Sequence, residues 1–256
     1  MEPAVKPSVS RFDRSFNYGD GIFTTMQVKA GLIQLWPLHL ARLQHAATQL
    51  HFAKIDWSSL ETEVMAAITE PNQVIKILIS RGEGGRGYSS QGIDTPKVYI
   101  SCSALPDYHL WRQQGITLGI AELKLAIQPA LAGIKHTSRL EQVLIKQQLL
   151  HTEFDDLLVI DQQDFVCEVS AANIFFYRQQ QWYTPSLERA GVAGVMRQHL
   201  MQQFDVKQVS WTLAQLNDVE AMFICNALME IVPVQRFMLR ELDMTPVNAL
   251  MKRQLC

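Results

Sequence analysis

The sequence predicts a mixed α/β (α+β) chain in two unequal parts. Three observations carry that expectation. In the first part, apolar and β-branched runs alternate with helical patterns. In the second, three short strand-like runs are separated only by polar turns, a spacing that favours antiparallel neighbours over βαβ units. The length of 256 residues also exceeds the soft prior of roughly 100–200 residues per domain. The expected division is a small N-terminal α+β domain over residues 1–105, a linker over 106–114 that contains Pro106-Asp107, and a larger domain over 115–256.

Taken in order, residues 1–17 are polar and read as irregular. Tyr18-Gly19-Asp20-Gly21 is a tight turn signal. Strands are expected over 22–28 and 32–36, joined by Lys29-Ala30-Gly31. Pro37 suits the first turn of a helix running to about Leu50. Its apolar face is Leu40, Leu43, Ala47 and Leu50, and Arg42 lies off that stripe. Ser58 and Glu61 have capping-box spacing and open a helix to about Ile68. Residues 74–80 (VIKILIS) and 98–102 read as strands, with a glycine-rich loop from Arg81 to Tyr88 after the first. The second part opens with a strand over 116–121. Ser138 and Glu141 form another box, heading a helix whose apolar positions are Leu140, Val143, Leu144 and Leu150. The three close strands are 157–160, 165–169 and 173–177, read as a meander. A helix follows from about 195 to 204, Thr212 caps a short one near 213–216, 222–225 is a strand, and Thr245-Pro246 opens the last helix.

Composition excludes several classes. A net charge of −2 and the lack of a basic stripe with interleaved aromatics argue against nucleic acid. No uncharged run reaches about 18 apolar residues, so no membrane span is expected. Cys102, Cys167, Cys225 and Cys256 are scattered, and the histidines form no HExxH. That pattern suits reduced thiols and a cytoplasmic protein without a metal.

Four features carry chemistry. Lys135 precedes a helix start, where a buried lysine forms Schiff bases and moves protons; the alternative is a solvated surface lysine. Glu168 interrupts an apolar strand. Either it faces solvent, or it is a carboxylate set against a protonated ring nitrogen, as pyridoxal phosphate requires. Residues 191–197 place glycines before a helix, which makes either a plain helix start or a phosphate site. Arg42, Arg81 and Arg86 are solvated arginines or oxyanion clamps. Together the pieces fit one cofactor, pyridoxal 5'-phosphate.

The chain also resembles a known family. Tyr18-Gly19-Asp20-Gly21-Ile22-Phe23, His39-x-x-Arg42-Leu43, Lys135 before a helix, Glu168 with Ala172-Asn173, and Gly194-Val195-Met196-Arg197 occur in the order seen in class IV (fold type IV) pyridoxal-phosphate enzymes. Within that family, Ser80-Arg81-Gly82-Glu83-Gly84-Gly85-Arg86-Gly87-Tyr88, the run from Ala132 to Ile145, and Ile224-Cys225-Asn226-Ala227-Leu228-Met229 are similar to the aminodeoxychorismate lyase branch. The chain departs from many members at Thr24-Thr25, where a Glu is frequent, and at Ala227, where a phosphate-binding Thr is common. The resemblance implies two domains with the cofactor between them, a homodimer, and 4-amino-4-deoxychorismate as substrate. It implies that Lys135 is the Schiff-base lysine and that Glu168 holds the ring nitrogen. Arg42 and the backbone at Val195, Met196, Asn226 and Ala227 would hold the phosphate, with Asn173 supporting the ring. Tyr18, Thr25 and Arg86 would face the substrate, Arg86 across the dimer. The alternatives are a transaminase of D- or branched-chain amino acids and a non-catalytic ligand-binding member of the fold.

Overall fold

The computed structural model describes residues 9–254. Cys256 and the first eight residues of the stretch read as irregular lie outside the described residues. The rest of that stretch is irregular only at its start: residues 9–10 lie outside regular structure and Arg11-Phe12 form a turn. It contains helix α1 (Arg14–Tyr18), capped by the Asp13 carboxylate, which accepts from the Ser15 and Phe16 N–H groups.

The first part continues with β1 (Gly21–Lys29), β2 (Leu32–Ile33), α2 (Trp36–Gln49), α3 (Trp57–Ala66), β3 (Gln73–Ser80) and β4 (Lys97–Ser103). The strands form one antiparallel sheet in the order β2-β1-β3-β4. Alternation along β1 buries Ile22, Met26 and Val28, and Ile75, Ile77 and Ile79 of β3 join them. These pack with Leu43, Ala46 and Ala47 of α2 and Leu60 and Val64 of α3. The buried stripe of α2 is Trp36, His39, Leu43, Ala46 and Ala47, rotated from the expected one. The Ser58–Glu61 box does not form. Asp56 caps α3, accepting from the Ser58 N–H at 3.1 Å and the Ser59 N–H at 3.0 Å. Glu61 instead accepts from the Trp36 indole at 2.7 Å.

The stretch expected as linker contains helix α4 (His109–Gln114). Its Arg112 Nε donates to the Met229 carbonyl at 2.9 Å. The second part then runs β5 (Ile116–Ile120), α5 (Leu140–Leu149), β6 (Asp156–Ile160), β7 (Val166–Val169), β8 (Asn173–Arg178), β9 (Gln181–Pro185), α6 (Val195–Gln203), β10 (Val206–Val209), a 3-10 turn (Leu213–Asp218), β11 (Ala221–Asn226), β12 (Glu230–Phe237), β13 (Arg240–Glu241) and α7 (Thr245–Gln254). The sheet order is β10-β9-β8-β11-β12-β5-β6-β7, with β13 on β12.

The three closely spaced strands do not form the expected meander. β6 and β7 are antiparallel, but β8 pairs with β9 and β11 rather than β7. β5 and β6 are parallel, with α5 as the crossover. Parallel neighbours need such a connection, and the long irregular stretch before α5 hid it from the strand pattern. β12 carries Pro233 in its interior and so reads poorly as a strand, yet it pairs on both sides.

The Ser138–Glu141 box does not form either. Arg139 occupies the N-cap of α5 with no side-chain hydrogen bond. Glu141 Oε1 accepts instead from the Ala126 N–H at 2.8 Å. The supposed core positions of α5 are exposed: Leu140 by 75%, Val143 by 52%, Leu144 by 55% and Leu150, just past its end, by 72%. Ile145 is the residue of α5 that is buried.

Candidate active site

The backbone places Lys135 before any side chain does. The Phe23 N–H donates to the Lys135 carbonyl at 2.9 Å, and the Thr137 N–H donates to the Gly21 carbonyl at 2.8 Å. On the other side, the Gly133 N–H donates to the Gly191 carbonyl at 2.9 Å and the Ala193 N–H donates to the Gly133 carbonyl at 3.0 Å. Lys135 is thus laced between β1 and the loop ahead of α6. Its ammonium lies 4.6 Å from the centroid of the Phe23 ring. Burial, then the charge of Arg42, lowers its pKa to about 8, while Glu168 pulls the other way.

Glu168 does not face solvent. All of β7 is buried, because both faces of that strand are covered. Glu168 Oε2 accepts from the Val192 N–H at 2.8 Å. Burial pushes its pKa up to about 7, against the pull of the Val192 N–H, Lys135 and Arg139. Gly191, at φ +87°, allows this approach, since a Cβ there would sit 2.9 Å from Leu187 and 3.2 Å from Glu168 Oε2.

Asn173 ties the same loop down. Its Nδ2 donates to the Val192 carbonyl at 2.8 Å and its Oδ1 accepts from the Gly194 N–H at 3.1 Å. A Cβ at Gly194 would sit 2.0 Å from that oxygen. The loop delivers the N-terminus of α6, and no side chain caps it. Its first N–H groups and the helix dipole form an anion site.

Arg42 reaches the same space from α2. Its Nε is buried without a hydrogen-bond partner, and burial lowers its pKa to about 10. Arg139 Nε is likewise buried without a partner, and burial lowers its pKa too. His136 points the local charge balance in the same direction. Burial, with the charges of Arg139 and Lys135, holds its pKa at about 4, so it stays neutral beside them.

Lys135, Glu168, Arg42, Asn173, Val195, Asn226, Ala227 and Thr25 line one cavity of about 400 Å³ between the two sheets. Met196 does not line it. Its side chain packs in a separate apolar cluster with Phe175, Leu200 and Phe223. Tyr18 lines a neighbouring, larger cavity of about 880 Å³. Its hydroxyl accepts from the Gly87 N–H at 3.2 Å. Arg86 is exposed and lines neither of these cavities. Arg81 is a structural cation: it donates to Asp20 and to the Leu50 and His51 carbonyls at the end of α2.

Sequence reasoning missed Phe23, Tyr108 and Gln142 as cavity walls. Phe23 was findable, because alternation puts it on the same face of β1 as Thr25. Tyr108 lies in the stretch expected as linker and has no local signal. Lys76 was also missed. It is the register partner of Thr25 on β3, and its ammonium lies 4.9 Å from the Phe23 ring centroid.

The donor set fits pyridoxal phosphate on grounds of this structure. Two unpartnered guanidinium nitrogens and an uncapped helix start suit a phosphate and other oxyanions. A lysine of lowered pKa suits an aldehyde, and a buried carboxylate suits a ring nitrogen. Among the described residues, no three His, Cys, Asp or Glu side chains are grouped to hold a metal.

The amino-transferase class IV family model matches residues 21–237. The chain is 40% identical over 229 residues to an aminodeoxychorismate lyase of Vibrio harveyi, across 87% of this chain and 84% of that one. It is similar in fold to the crystal structure of a 4-amino-4-deoxychorismate lyase from Pseudomonas aeruginosa, with a TM-score of 0.93 and 32% identity over 98% of this chain and 95% of that one. A hypothetical aminotransferase from Mycobacterium tuberculosis in its PLP-bound form shares the fold, at a TM-score of 0.84 and 18% identity over 98% and 93% of the two chains.

Proposed function

The chain belongs to the class IV aminotransferase family, and from that premise we propose that it is a pyridoxal-phosphate-dependent 4-amino-4-deoxychorismate lyase, releasing pyruvate and 4-aminobenzoate. The observation that carries the reading is Lys135, its pKa lowered, sharing one cavity with buried Glu168 in a chain 40% identical to such a lyase. The cofactor would attach to Lys135. Its phosphate would be held by Arg42 and the backbone at Val195, Met196, Asn226 and Ala227. Asn173 would hold in place the loop that carries Val192 and Gly194, through its bonds to both. When bound, the cofactor supplies an electron sink for the carbon bearing the substrate's amine. Glu168 would hold a proton at the ring nitrogen. Lys135 Nζ would take the proton from that carbon and deliver one to the departing enolpyruvyl oxygen as the carbon–oxygen bond breaks, acting as base and then acid. Product aromaticity drives the elimination, so the cavity contributes mainly alignment. Phe23, Tyr108 and Thr25 line the same cavity and are assigned to the substrate side; Tyr18, in the neighbouring cavity, and Arg86, exposed in this chain, would reach substrate only where a second copy joins the site.

The exposed apolar face of α5 supports a homodimer. Leu140 and Val143 line the larger cavity and Leu144 is exposed on the same helix, and a second copy of this chain seated on α5 would cover them. It would also bring residues such as Arg86 toward the partner's cavity. Val143→Glu is expected to shift the protein to a monomer in sedimentation analysis and to lower turnover with it. A dimer of unchanged strength would remove α5 from the interface. The unpaired thiols Cys102, Cys167 and Cys225 suit a reducing cytoplasm. No helix among the described residues is long and apolar enough to cross a membrane.

The direct test is product formation. Purified protein should release 4-aminobenzoate and pyruvate from 4-amino-4-deoxychorismate. Turnover only of amino acid plus 2-oxoglutarate would assign the protein to the transaminases of its family instead.

A further inference from the structure

The layer between β1 and α2 is apolar except at one point. The inward residues of β1 are Ile22, Thr24, Met26 and Val28, and all are fully buried. The inward residues of α2 include His39, also fully buried, among Trp36, Leu43, Ala46 and Ala47. Thr24 Oγ1 lies 2.6 Å from His39 Nδ1, and it also accepts a hydrogen bond from Arg42 Nη2. The Thr24 oxygen accepts from Arg42 Nη2, and its bond to His39 Nδ1 runs one way or the other with the imidazole tautomer; either way the hydroxyl is tied to both side chains. Burial, then the Arg42 charge, holds the His39 pKa well below the ordinary value of 6.5, so the imidazole is neutral.

Such a pair is poorly explained by stability alone. Apolar side chains of similar shape would fill these two positions at little or no cost, whereas the polar pair leaves His39 Nε2 buried without a partner. What the pair does accomplish is directional. It holds one end of the Arg42 guanidinium, on a half-buried side chain whose Nε has no partner, at the wall of the catalytic cavity.

We propose that Thr24 and His39 are positioning residues that aim Arg42 at the cofactor phosphate. The inference rests on the pyridoxal-phosphate reading above. It assigns Thr24, at a position where many relatives carry a Glu, the task of fixing the phosphate clamp through its hydroxyl.

The test is binding rather than turnover. Apoprotein is titrated with pyridoxal phosphate and, separately, with pyridoxal, which lacks the phosphate, and both are followed by absorbance. Thr24→Val is expected to weaken pyridoxal phosphate by on the order of tenfold, the value of one hydrogen bond to a charged group. Pyridoxal affinity should be unchanged, so the preference for the phosphorylated form falls. Thr24→Ser should restore that preference, and His39→Asn, which keeps a polar atom near the Nδ1 position, should retain more of it than His39→Leu. Equal weakening of both ligands would mean general damage to the layer and would overturn the proposal, as would a Thr24→Val protein with wild-type preference. Wild-type protein that takes up neither ligand would refute the cofactor reading itself, a separate and visible failure.

Discussion

Lys135→Ala is expected to abolish release of 4-aminobenzoate and the visible absorption that pyridoxal phosphate acquires when attached to a lysine amine. The loss should be at least on the order of a thousandfold, because one side chain both carries the cofactor and moves the proton. The fold should survive. The Lys135 segment is held by its carbonyl, which accepts from the Phe23 N–H, and by the flanking bonds of Gly133 and Thr137, none of which uses the side chain. The substitution also removes a buried cation that has Arg42 and Arg139 as neighbours of like charge. Cofactor-free Lys135→Ala should therefore melt no lower than the parent, while pyridoxal phosphate still binds, more weakly, through its phosphate. A small added amine such as methylamine should recover part of the turnover by entering the vacated space. A variant that keeps its visible absorption and turns over within about tenfold of the parent would assign the chemistry to another group.

The residues legible in the sequence were those whose chemistry conflicts with their surroundings. Glu168 stood out because a carboxylate in an apolar strand needs a reason. Lys135 and the glycines at 191 and 194 stood out because they punctuate the starts of helices. What the sequence did not show was set by partners distant along the chain. The Ser58–Glu61 and Ser138–Glu141 boxes have the right spacing. However, Glu61 bonds the Trp36 indole and Glu141 the Ala126 N–H, each from a different element. The leucines of α5 have core periodicity and no core to enter within this chain, so periodicity alone misassigned them. The pairing of β8 with β9 and β11, and the α5 crossover, are matters of topology that a short-strand pattern does not encode. Tyr108 belongs to the cavity because α4 packs on β12, which nothing in residues 106–114 announces.

Glu168→Gln is expected to separate the role of this carboxylate in turnover from its effect on stability. In the cofactor-free protein, burial raises the Glu168 pKa from the ordinary value of 4.5 to about 7. A folded-state pKa above the unfolded one means that folding favours the protonated form. The contribution of this group is thus fully present below about pH 4.5 and is lost as pH rises through about 7. Lys135, at about 8, and the buried histidines His39 and His136, both lowered from 6.5, also titrate in or beside that window and with the opposite sign, but they are common to both proteins, so the difference between wild type and variant isolates Glu168. That difference should grow by on the order of 3 kcal/mol between about pH 4.5 and pH 8. Gln keeps an oxygen for the Val192 N–H but cannot ionise. The variant should match wild type near pH 4.5 and melt at a higher temperature near pH 8. Turnover moves the opposite way. Gln cannot hold a proton on the ring nitrogen, so kcat for 4-aminobenzoate should fall by on the order of a hundredfold, the scale of losing one aimed electrostatic contact. A variant more stable at neutral pH and far slower is what a carboxylate kept buried for catalysis predicts. Superimposable melting curves across that pH range, or unchanged kcat, would contradict it.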